Sequence, residues 1–534
     1  MNYLVYKIFV RFFLTRDFTK KIELRMSLLY PGPRRYVVNK TSKEIIRIVI
    51  LSIASVLGII LFADFSFYYS VIAIVMAYVL STSYIYKRFD QAEIKLLSQL
   101  EQFITDVRYR FKFDGMVEEA LEDAINTAEY EMSLHGNVIL SNLRENMGKM
   151  YDNPYKEYAP SHFFLTFYIM CETVMIYGDK MINGQSMFLK NISYLKEDIH
   201  NEILRRKKIN GEFMGLFGVI VLPVFAIKPI EIWGEYNMPE LAGEYEGVKG
   251  AIVTLILVFI TVMVYMITRR LKYPAESIEY KNSLITTICK SRFVDKAVLR
   301  FISINYRKCF ILDKKLKEIV YKYNVKEFIV MRWVYSAMAA NVSLLVGISI
   351  GLRIFAVVVF ITAFLITYYG IYLSVLFRQQ MMLLDREEEV VRFQTIILIL
   401  MHMDRISLER ILEHMEAFAV VFKDTIARIS DQLAYKGKKI LTEVKDEVSF
   451  APFERMLDAF IASDVIGISS AFEDIEADRK YYVEKHKQEN EEIAHNKALI
   501  AKFIAFVPLC LVILFKLILP FVLMGIKQLS EFNM

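Results

Sequence analysis

The segment FKFDGMVEEALEDA, residues 111–124, joins two helical patterns through a glycine. Gly115 lies where the first pattern ends, and a glycine there is typical of a helix-to-helix turn. In the second pattern, apolar residues recur at the three- and four-residue steps of one helix face: Val117, Ala120, Leu121 and Ala124. The segment therefore predicts an amphipathic helix that begins near Met116, with Asp114 as its cap.

The same segment carries a row of acids. Asp114, Glu118 and Glu122 recur every four residues, so on a helix they share one face. Such a row can bind a metal ion, perform acid–base chemistry, or form the solvated side of an amphipathic helix. The rest of the chain decides among these three interpretations.

The composition indicates a membrane protein with substantial aqueous parts. Of the 534 residues, 55% are hydrophobic and only 24% are charged, which is too apolar for an ordinary soluble protein. The net charge of +6 is modest for this length and does not indicate nucleic-acid binding. The cysteines form no C-x-x-C pair, which argues against a zinc site or a disulfide framework.

Seven segments are long and apolar enough to cross a bilayer of roughly 30 Å: approximately 45–62, 67–86, 213–232, 249–268, 328–350, 354–377 and 499–526. Residues 1–43 are rich in Lys and Arg, whereas the loop 231–247 contains neither. By the positive-inside rule, the N-terminus and residues 87–212, 269–327 and 378–498 are expected in the cytoplasm. The predicted location is the cytoplasmic (inner) membrane.

The chain repeats itself with a period of about 290 residues. The matching pairs, in order, are Arg88 and Arg378, Phe103 and Phe393, Leu121 and Leu412, Pro160 and Pro452, Gly178 and Gly467, and Phe213 and Phe503. The predicted fold is all-α, a polytopic membrane protein with about seven transmembrane helices and two duplicated cytoplasmic helical bundles.

The predicted division of the chain follows from the repeat and the apolar segments. It consists of a basic amphipathic N-terminal segment (1–43), a transmembrane hairpin (44–86), a first cytoplasmic bundle (87–212), transmembrane helices 3 and 4 with an acidic external loop (213–268), a basic cytoplasmic linker (269–327), a second transmembrane hairpin (328–377), a second bundle (378–498), and a C-terminal transmembrane helix with a short tail (499–534).

The second copy of the opening segment changes its charges. In MDRISLERILEHMEAF, residues 403–418, Asp404 is kept, but Arg405 and Arg410 stand among Glu409 and Glu413. A metal or catalytic site shared by both copies would not survive this change. The pattern favours a solvated helix face and predicts no catalytic, metal or cofactor site.

Three other patterns bear on the chemistry. Two E-x-x-H units, Glu197–His200 and Glu492–His495, are typical of a di-iron bundle, but their basic and polar neighbours predict exposed helices. The chain contains no G-x-x-x-x-G-K-[ST], so it is not expected to bind ATP through a P-loop. Lys516 lies within the last apolar segment, where a charge is costly, and we expect an acidic partner for it.

The order of these features resembles the type II secretion system F family, the inner-membrane platform proteins of type II secretion, type IV pili, tight-adherence pili and archaella. The family has a turn followed by a helix, and later a glycine before the long helix that returns to the membrane. In the first copy, the turn and helix are similar to DGMVEEAL (114–121), and the later glycine and long helix are similar to YGDKMINGQSMFLKNISYL (177–195). DRISLERIL (404–412) and IGISSAFEDI (466–475) are similar in the second copy, with Ile406 in place of the turn glycine. A hairpin before each bundle is similar to the tight-adherence and archaeal branch, as two such halves fused in tandem.

The resemblance implies a non-enzymatic platform without a cofactor. Such a protein would anchor a cytoplasmic hexameric secretion ATPase, couple it to the extraction and polymerisation of pilin-like subunits, and form a homodimer. The candidate ATPase contacts are the two turns: Asp114, Gly115, Glu118, Glu122, Asp404, Arg405, Glu409 and Glu413. Two alternatives stay open, a secondary transporter or channel built from a duplicated unit and a membrane di-iron protein.

Overall fold

The structure is a computed structural model that describes residues 2–11, 13–62, 67–145, 155, 159–182, 184–245, 247–273, 288–289, 291–318, 324–349, 353–401, 407–448 and 450–532. The all-α prediction is confirmed, since about 91% of the described residues are helical. The strands within the described ranges are β1 (Met181–Ile182) and β2 (Gln185–Ser186), which pair as a short antiparallel hairpin.

The helices of the first half precede and follow this hairpin. They are α1 (Asn2–Arg11), α2 (Phe13–Leu29), α3 (Arg34–Phe62), α4 (Phe67–Asp114), α5 (Val117–Thr127), α6 (Tyr130–Glu145), α7 (His162–Tyr177), α8 (Met187–Glu212), α9 (Leu216–Asn237), a 3₁₀ turn (Pro239–Leu241), α10 (Ala242–Tyr245) and α11 (Gly247–Lys272).

The helices of the second half continue the series. They are α12 (Arg292–Ile304), α13 (Tyr306–Glu318), α14 (Val325–Ser349), α15 (Arg353–Leu400), α16 (Leu408–Phe418), α17 (Lys423–Lys436), α18 (Lys439–Glu447), α19 (Ala451–Ile466), α20 (Ile468–Ala471), α21 (Glu473–Ile513), a π turn (Leu514–Ile518) and α22 (Leu519–Phe532). The last three elements form one continuous helical segment, as the prediction of a single C-terminal span requires.

The chain divides into two compact units. Unit 1 consists of Met1–Gly58, Ala73–Met214 and Arg386–Leu499, and unit 2 consists of Ile59–Ile72, Gly215–Asp385 and Ile500–Met534. Both predicted bundles belong to unit 1 except for residues 378–385, whereas most of the predicted transmembrane residues belong to unit 2.

One hydrophobic core runs through unit 1 and draws residues from both bundles. In the first bundle the rings of Phe103 and Phe167 meet edge to face, with centroids 6.0 Å apart. In the second bundle Phe422 stacks on Phe453, with centroids 4.4 Å apart and planes nearly parallel. Large buried aromatic rings dominate this core, and each contributes both apolar area and specific ring geometry to its stability.

The N-terminal helix α1 is held against unit 1. Tyr6 is buried with Val38 and Ile45 of α3, and its hydroxyl donates a 2.5 Å hydrogen bond to Glu23. Tyr6 thus packs against α3 and hydrogen-bonds to α2, so this part of α1 is docked on the protein.

Three helical segments are long and apolar enough to cross a membrane, counting described residues only: Met187–Asn237, Gly250–Lys272 and Lys487–Ile526. They contain the predicted spans 213–232, 249–268 and 499–526, and they are consistent with a membrane protein. The sequence predicts seven spans and the structure identifies three. The other four lie in α3, α4, α14 and α15, which end or begin beside residues outside the described ranges.

Candidate functional site

The first predicted contact is the turn between α4 and α5. Gly115 adopts φ +70° there, and its amide donates a 2.9 Å hydrogen bond to the Phe111 carbonyl. A left-handed conformation of this kind favours glycine, which confirms the predicted turn. The predicted cap is wrong: Asp114 is the last residue of α4, and Met116 stands at the N-cap of α5 without a side-chain cap bond to any described residue.

Helix α5 buries the predicted apolar face and pairs its acids. Val117, Ala120, Leu121 and Ala124 are all buried. On the other face, Arg144 of α6 bonds Glu118 at 2.6 Å and also pairs with Glu122. Asp123 pairs with Arg110 at 2.8 Å. The acid row therefore joins α5 to its neighbours through solvent-exposed ion pairs, which contribute little to stability, while Asp114 and Glu119 stay exposed.

The second predicted contact keeps a similar helix but a different charge pattern. Asp404 and Arg405 lie outside the described residues. Ser407 caps α16, since its hydroxyl accepts a 3.4 Å hydrogen bond from the Arg410 amide. Glu413 pairs with Arg410 at 3.5 Å, and Glu409 is exposed. The two turns thus have different cap chemistry and different ion pairs.

The sequence interpretation missed an apolar surface beside the first turn, which we name the turn patch. Tyr109 and Phe113 are 66% and 70% exposed, and their rings lie 4.9 Å apart. Met116 and Met181 are also exposed. Tyr109, Gly115 and Met181 line an open groove together with the cationic Arg108, Lys112 and Lys190. The available signal was the helix period, because Tyr109 and Phe113 fall on the face of α4 opposite its buried residues.

A cavity of about 360 Å³ lies within unit 1, among α7, α8, α15 and α21. Two ion pairs cross it from α8 of the first bundle to the second: Arg205 to Glu388 at 3.3 Å and Lys208 to Glu491 at 2.9 Å. His162 lies in its wall, where burial, followed by the charge of Arg392, lowers the pKa of the imidazole to about 3. The imidazole is accordingly neutral at physiological pH.

Two buried side chains, Gln99 and Glu389, hydrogen-bond to the loops that follow α5 and α16. Glu389 of α15 is fully buried and accepts hydrogen bonds from three backbone amides, those of Val420, Val421 and Phe422, at 2.9, 2.7 and 2.9 Å. In the first bundle, Gln99 of α4 donates a 2.5 Å hydrogen bond to Glu129. The carboxylate thus satisfies two amides of the loop and the amide of Phe422, the residue that precedes α17.

Unit 2 contains a buried ion pair. Lys516, in the π turn, lies 2.5 Å from Glu231 of α9, and both side chains are almost fully buried. The Gly250 carbonyl also accepts from Lys516 at 3.4 Å, and the Tyr69 hydroxyl donates to Glu231 at 3.2 Å. The predicted acidic partner of Lys516 is thereby confirmed, and its identity is Glu231.

The di-iron alternative finds little support in the geometry. His200 lies 3.2 Å from Glu101, and its side chain is exposed. Among the described residues, no three His, Cys, Asp or Glu side chains are grouped so that they could hold a metal ion. The E-x-x-H residues are therefore better explained as parts of solvated helix faces.

A buried histidine predicts acid sensitivity of unit 1. His135 of α6 donates its Nε2 proton to the Leu29 carbonyl at 3.2 Å, and burial lowers its pKa from 6.5 to about 4. Between these pH values the unfolded chain binds a proton that the folded chain does not, so stability is complete above about pH 6.5 and falls with acidification. We expect a loss of about 2 kcal/mol from about pH 6.5 to pH 5.

Thermal unfolding of the purified protein at about pH 7 and pH 5 measures this loss. In His135→Gln, whose amide can still donate to Leu29, the loss between these pH values should shrink, because the titrating ring is gone. His200→Gln is the control, since His200 is exposed. An unchanged pH dependence in His135→Gln would contradict the assignment.

Comparison with protein-family models, curated proteins and solved structures finds no match for this chain.

Proposed function

We propose that this chain is a membrane platform protein of the type II secretion system F kind, in which two related halves are fused. The observation that carries the proposal is the repeated order of helices. Helices α5 and α16 each have 11 residues, and α7 and α19 each have 16. Both α7 and α19 end at a glycine with positive φ, Gly178 at +77° and Gly467 at +82°.

Buried side chains support the same duplication. Phe103 and Phe393 stand 290 positions apart, as do Gln99 and Glu389. Both phenylalanines are buried in the unit 1 core. Gln99 and Glu389 each reach the loop after the short amphipathic helix of their own bundle. Equivalent positions that perform equivalent packing and loop contacts are expected if one ancestral unit was copied.

Each bundle also leads into an apolar helical segment. Helix α8 is followed by α9 within the candidate span Met187–Asn237, and α21 continues into the candidate span Lys487–Ile526. Two cytoplasmic bundles, each followed by a helix that returns to the membrane, are the arrangement that a fused platform would have. We further propose that the seven predicted spans form its membrane part and that the N-terminus faces the cytoplasm.

The proposed role is to couple ATP hydrolysis by a partner protein to movement at the membrane. The sequence contains no P-loop, so a hexameric secretion ATPase would supply the energy, and pilin-like subunits would be lifted at the membrane helices. The turn patch and its cationic groove are the proposed ATPase contact, because exposed aromatic and methionine side chains are typical anchors of protein interfaces. A homodimer belongs to the same proposal.

Co-purification with a co-expressed secretion ATPase from the same genome tests the proposal. We expect the wild-type chain to retain the ATPase, and Tyr109→Glu with Phe113→Glu to lower retention at least about tenfold, since such anchors carry much of an interface's energy. Tyr435→Glu is the matched control, because Tyr435 is 92% exposed on the second bundle.

Two results would count against the proposal. If the wild-type chain retains no secretion ATPase, the platform role fails. If it retains the ATPase but the double variant does so equally well, the platform role stands and the contact lies elsewhere on unit 1.

A duplicated-unit transporter is the second candidate, and the buried Glu231–Lys516 pair favours it. Charged residues inside apolar helices are frequent parts of ion pathways, and π turns are frequent at functional sites. Ion flux in proteoliposomes containing the purified chain tests this candidate. Wild-type flux that is absent from the double variant Glu231→Met with Lys516→Met, although this variant unfolds at the wild-type temperature, would favour the transporter over the platform.

A further inference from the structure

The cavity of unit 1 has the size and lining of a small-molecule site. Its volume of about 360 Å³ falls in the range of ligand pockets, which is roughly 300–1,000 Å³. Phe163, Leu195 and Val391 form part of an apolar wall, and charged side chains surround it. An apolar wall with a few polar groups is the usual composition of a site for an organic molecule.

Three acids that line the cavity, Glu202, Glu388 and Glu491, are matched by cations. Glu202 pairs with Arg205 at 2.7 Å and with Arg206 at 2.6 Å. Glu388 pairs with Arg205, and Glu491 pairs with Lys208. These carboxylates are therefore poor candidates for holding a cationic ligand, because each already has a charged partner within the fold.

Two further cations line the same cavity. Arg392 donates a 3.4 Å hydrogen bond to the backbone carbonyl of Glu388, and within the described part of the chain neither it nor Lys487 forms an ion pair. A guanidinium with free donors suits a phosphate or carboxylate, because it can offer paired N–H groups to one anion. The neutral His162 beside Arg392 adds a hydrogen-bonding ring.

We propose that this cavity binds a small organic phosphate of nucleoside-monophosphate size. Its phosphate contacts Arg392 and Lys487, and its aromatic or apolar body lies against Phe163 and Val391. The bound molecule would touch α7 and α8 of the first bundle and α15 and α21 of the second. Ligand binding would thereby fix the packing of the two bundles. The proposal holds whether or not the chain is a secretion platform.

Equilibrium dialysis of the purified full-length protein in detergent, with AMP, adenosine and inorganic phosphate as probes, tests the site. We expect AMP to bind at least about tenfold more tightly than adenosine or inorganic phosphate. Adenosine lacks the charged phosphate, and inorganic phosphate lacks the aromatic body. Arg392→Gln should weaken AMP binding at least about tenfold. Lys487→Gln should also weaken it, and since Lys487 is exposed, this variant is expected to fold normally.

The matched control is Arg428→Gln, which removes an arginine of α17 that pairs with Glu447 and lies outside the cavity wall. It should bind AMP as the wild-type protein does. Three results would overturn the proposal: no AMP binding at millimolar concentration, equal binding of AMP and inorganic phosphate, or AMP binding that neither cavity variant weakens.

Discussion

Replacing Lys516 with methionine is expected to destabilise unit 2 by about 3–5 kcal/mol, because the buried Glu231 carboxylate loses its close partner and keeps only the more distant, partly exposed Lys228. Lys516 is 1% exposed and Glu231 is 4% exposed, so little water can reach the remaining charge. Loss of the lysine also removes a hydrogen bond to the Gly250 carbonyl. The measurement is thermal unfolding of the purified protein in detergent, followed by the yield of folded protein.

The double variant Lys516→Met with Glu231→Met separates charge from packing. Because removal of both partners leaves no buried charge, most of the lost stability should return. Lys228→Met is the matched control. Lys228 lies 3.7 Å from the same carboxylate but is partly exposed. A double variant as unstable as Lys516→Met would show that packing around the methylene chain, and not the unpaired charge, causes the effect.

The local geometry explains why this pair tolerates little change. The Tyr245 hydroxyl donates a 2.8 Å hydrogen bond to the Lys516 carbonyl, one of the backbone groups in the π turn. Gly250 packs so closely that an added Cβ would fall 1.8 Å from the Tyr245 carbonyl oxygen. The π turn, Tyr245 and Gly250 thus fix the position of Lys516 relative to Glu231.

The helices of this protein could be predicted because their signals are local. The step of three and four residues in 111–124 placed Val117, Ala120, Leu121 and Ala124 on one face, and the structure buries them all. Gly115 also predicted the turn between α4 and α5. The cap prediction failed because α4 continues to Asp114, so Met116 and not the aspartate precedes α5.

The pairing of the acid row could not be predicted from the segment itself. Arg144 lies 22 and 26 positions from the acids it pairs with, and it reaches them only because α6 packs against α5. The predicted repeat still argued against a shared metal site, since Arg405 and Arg410 stand among the acids of the segment 403–418.

The cavity and the Glu389 contact are long-range features. The cavity wall combines residues near 162, 205, 392 and 487, which no local pattern brings together. Glu389 stands in a run of three glutamates, 387–389, and no residue type distinguishes the buried one. Helix period alone places it on the core side, because Phe393 and Ile396 follow at steps of four and three.

Replacing Glu389 with alanine should destabilise unit 1 by about 3–5 kcal/mol, since three backbone amides lose a charged acceptor and the Phe422 amide is buried. Phe422 also stacks on Phe453, so a loop released at 420–422 would loosen an aromatic contact of the core. Glu389→Gln keeps one carbonyl oxygen as an acceptor, so it should destabilise unit 1 by about half as much as Glu389→Ala. Chemical or thermal unfolding of the purified protein measures both changes.

The first bundle supplies the matched control for this prediction. Gln99 occupies the position 290 residues earlier, but it donates to the exposed Glu129 and not to a row of amides. Gln99→Ala should therefore cost only about 1 kcal/mol. If Gln99→Ala and Glu389→Ala destabilise the protein equally, the three amide bonds are not the source of the effect. A large difference would show that Glu389 is a buried support of the loop before α17, whereas Gln99 makes a peripheral contact.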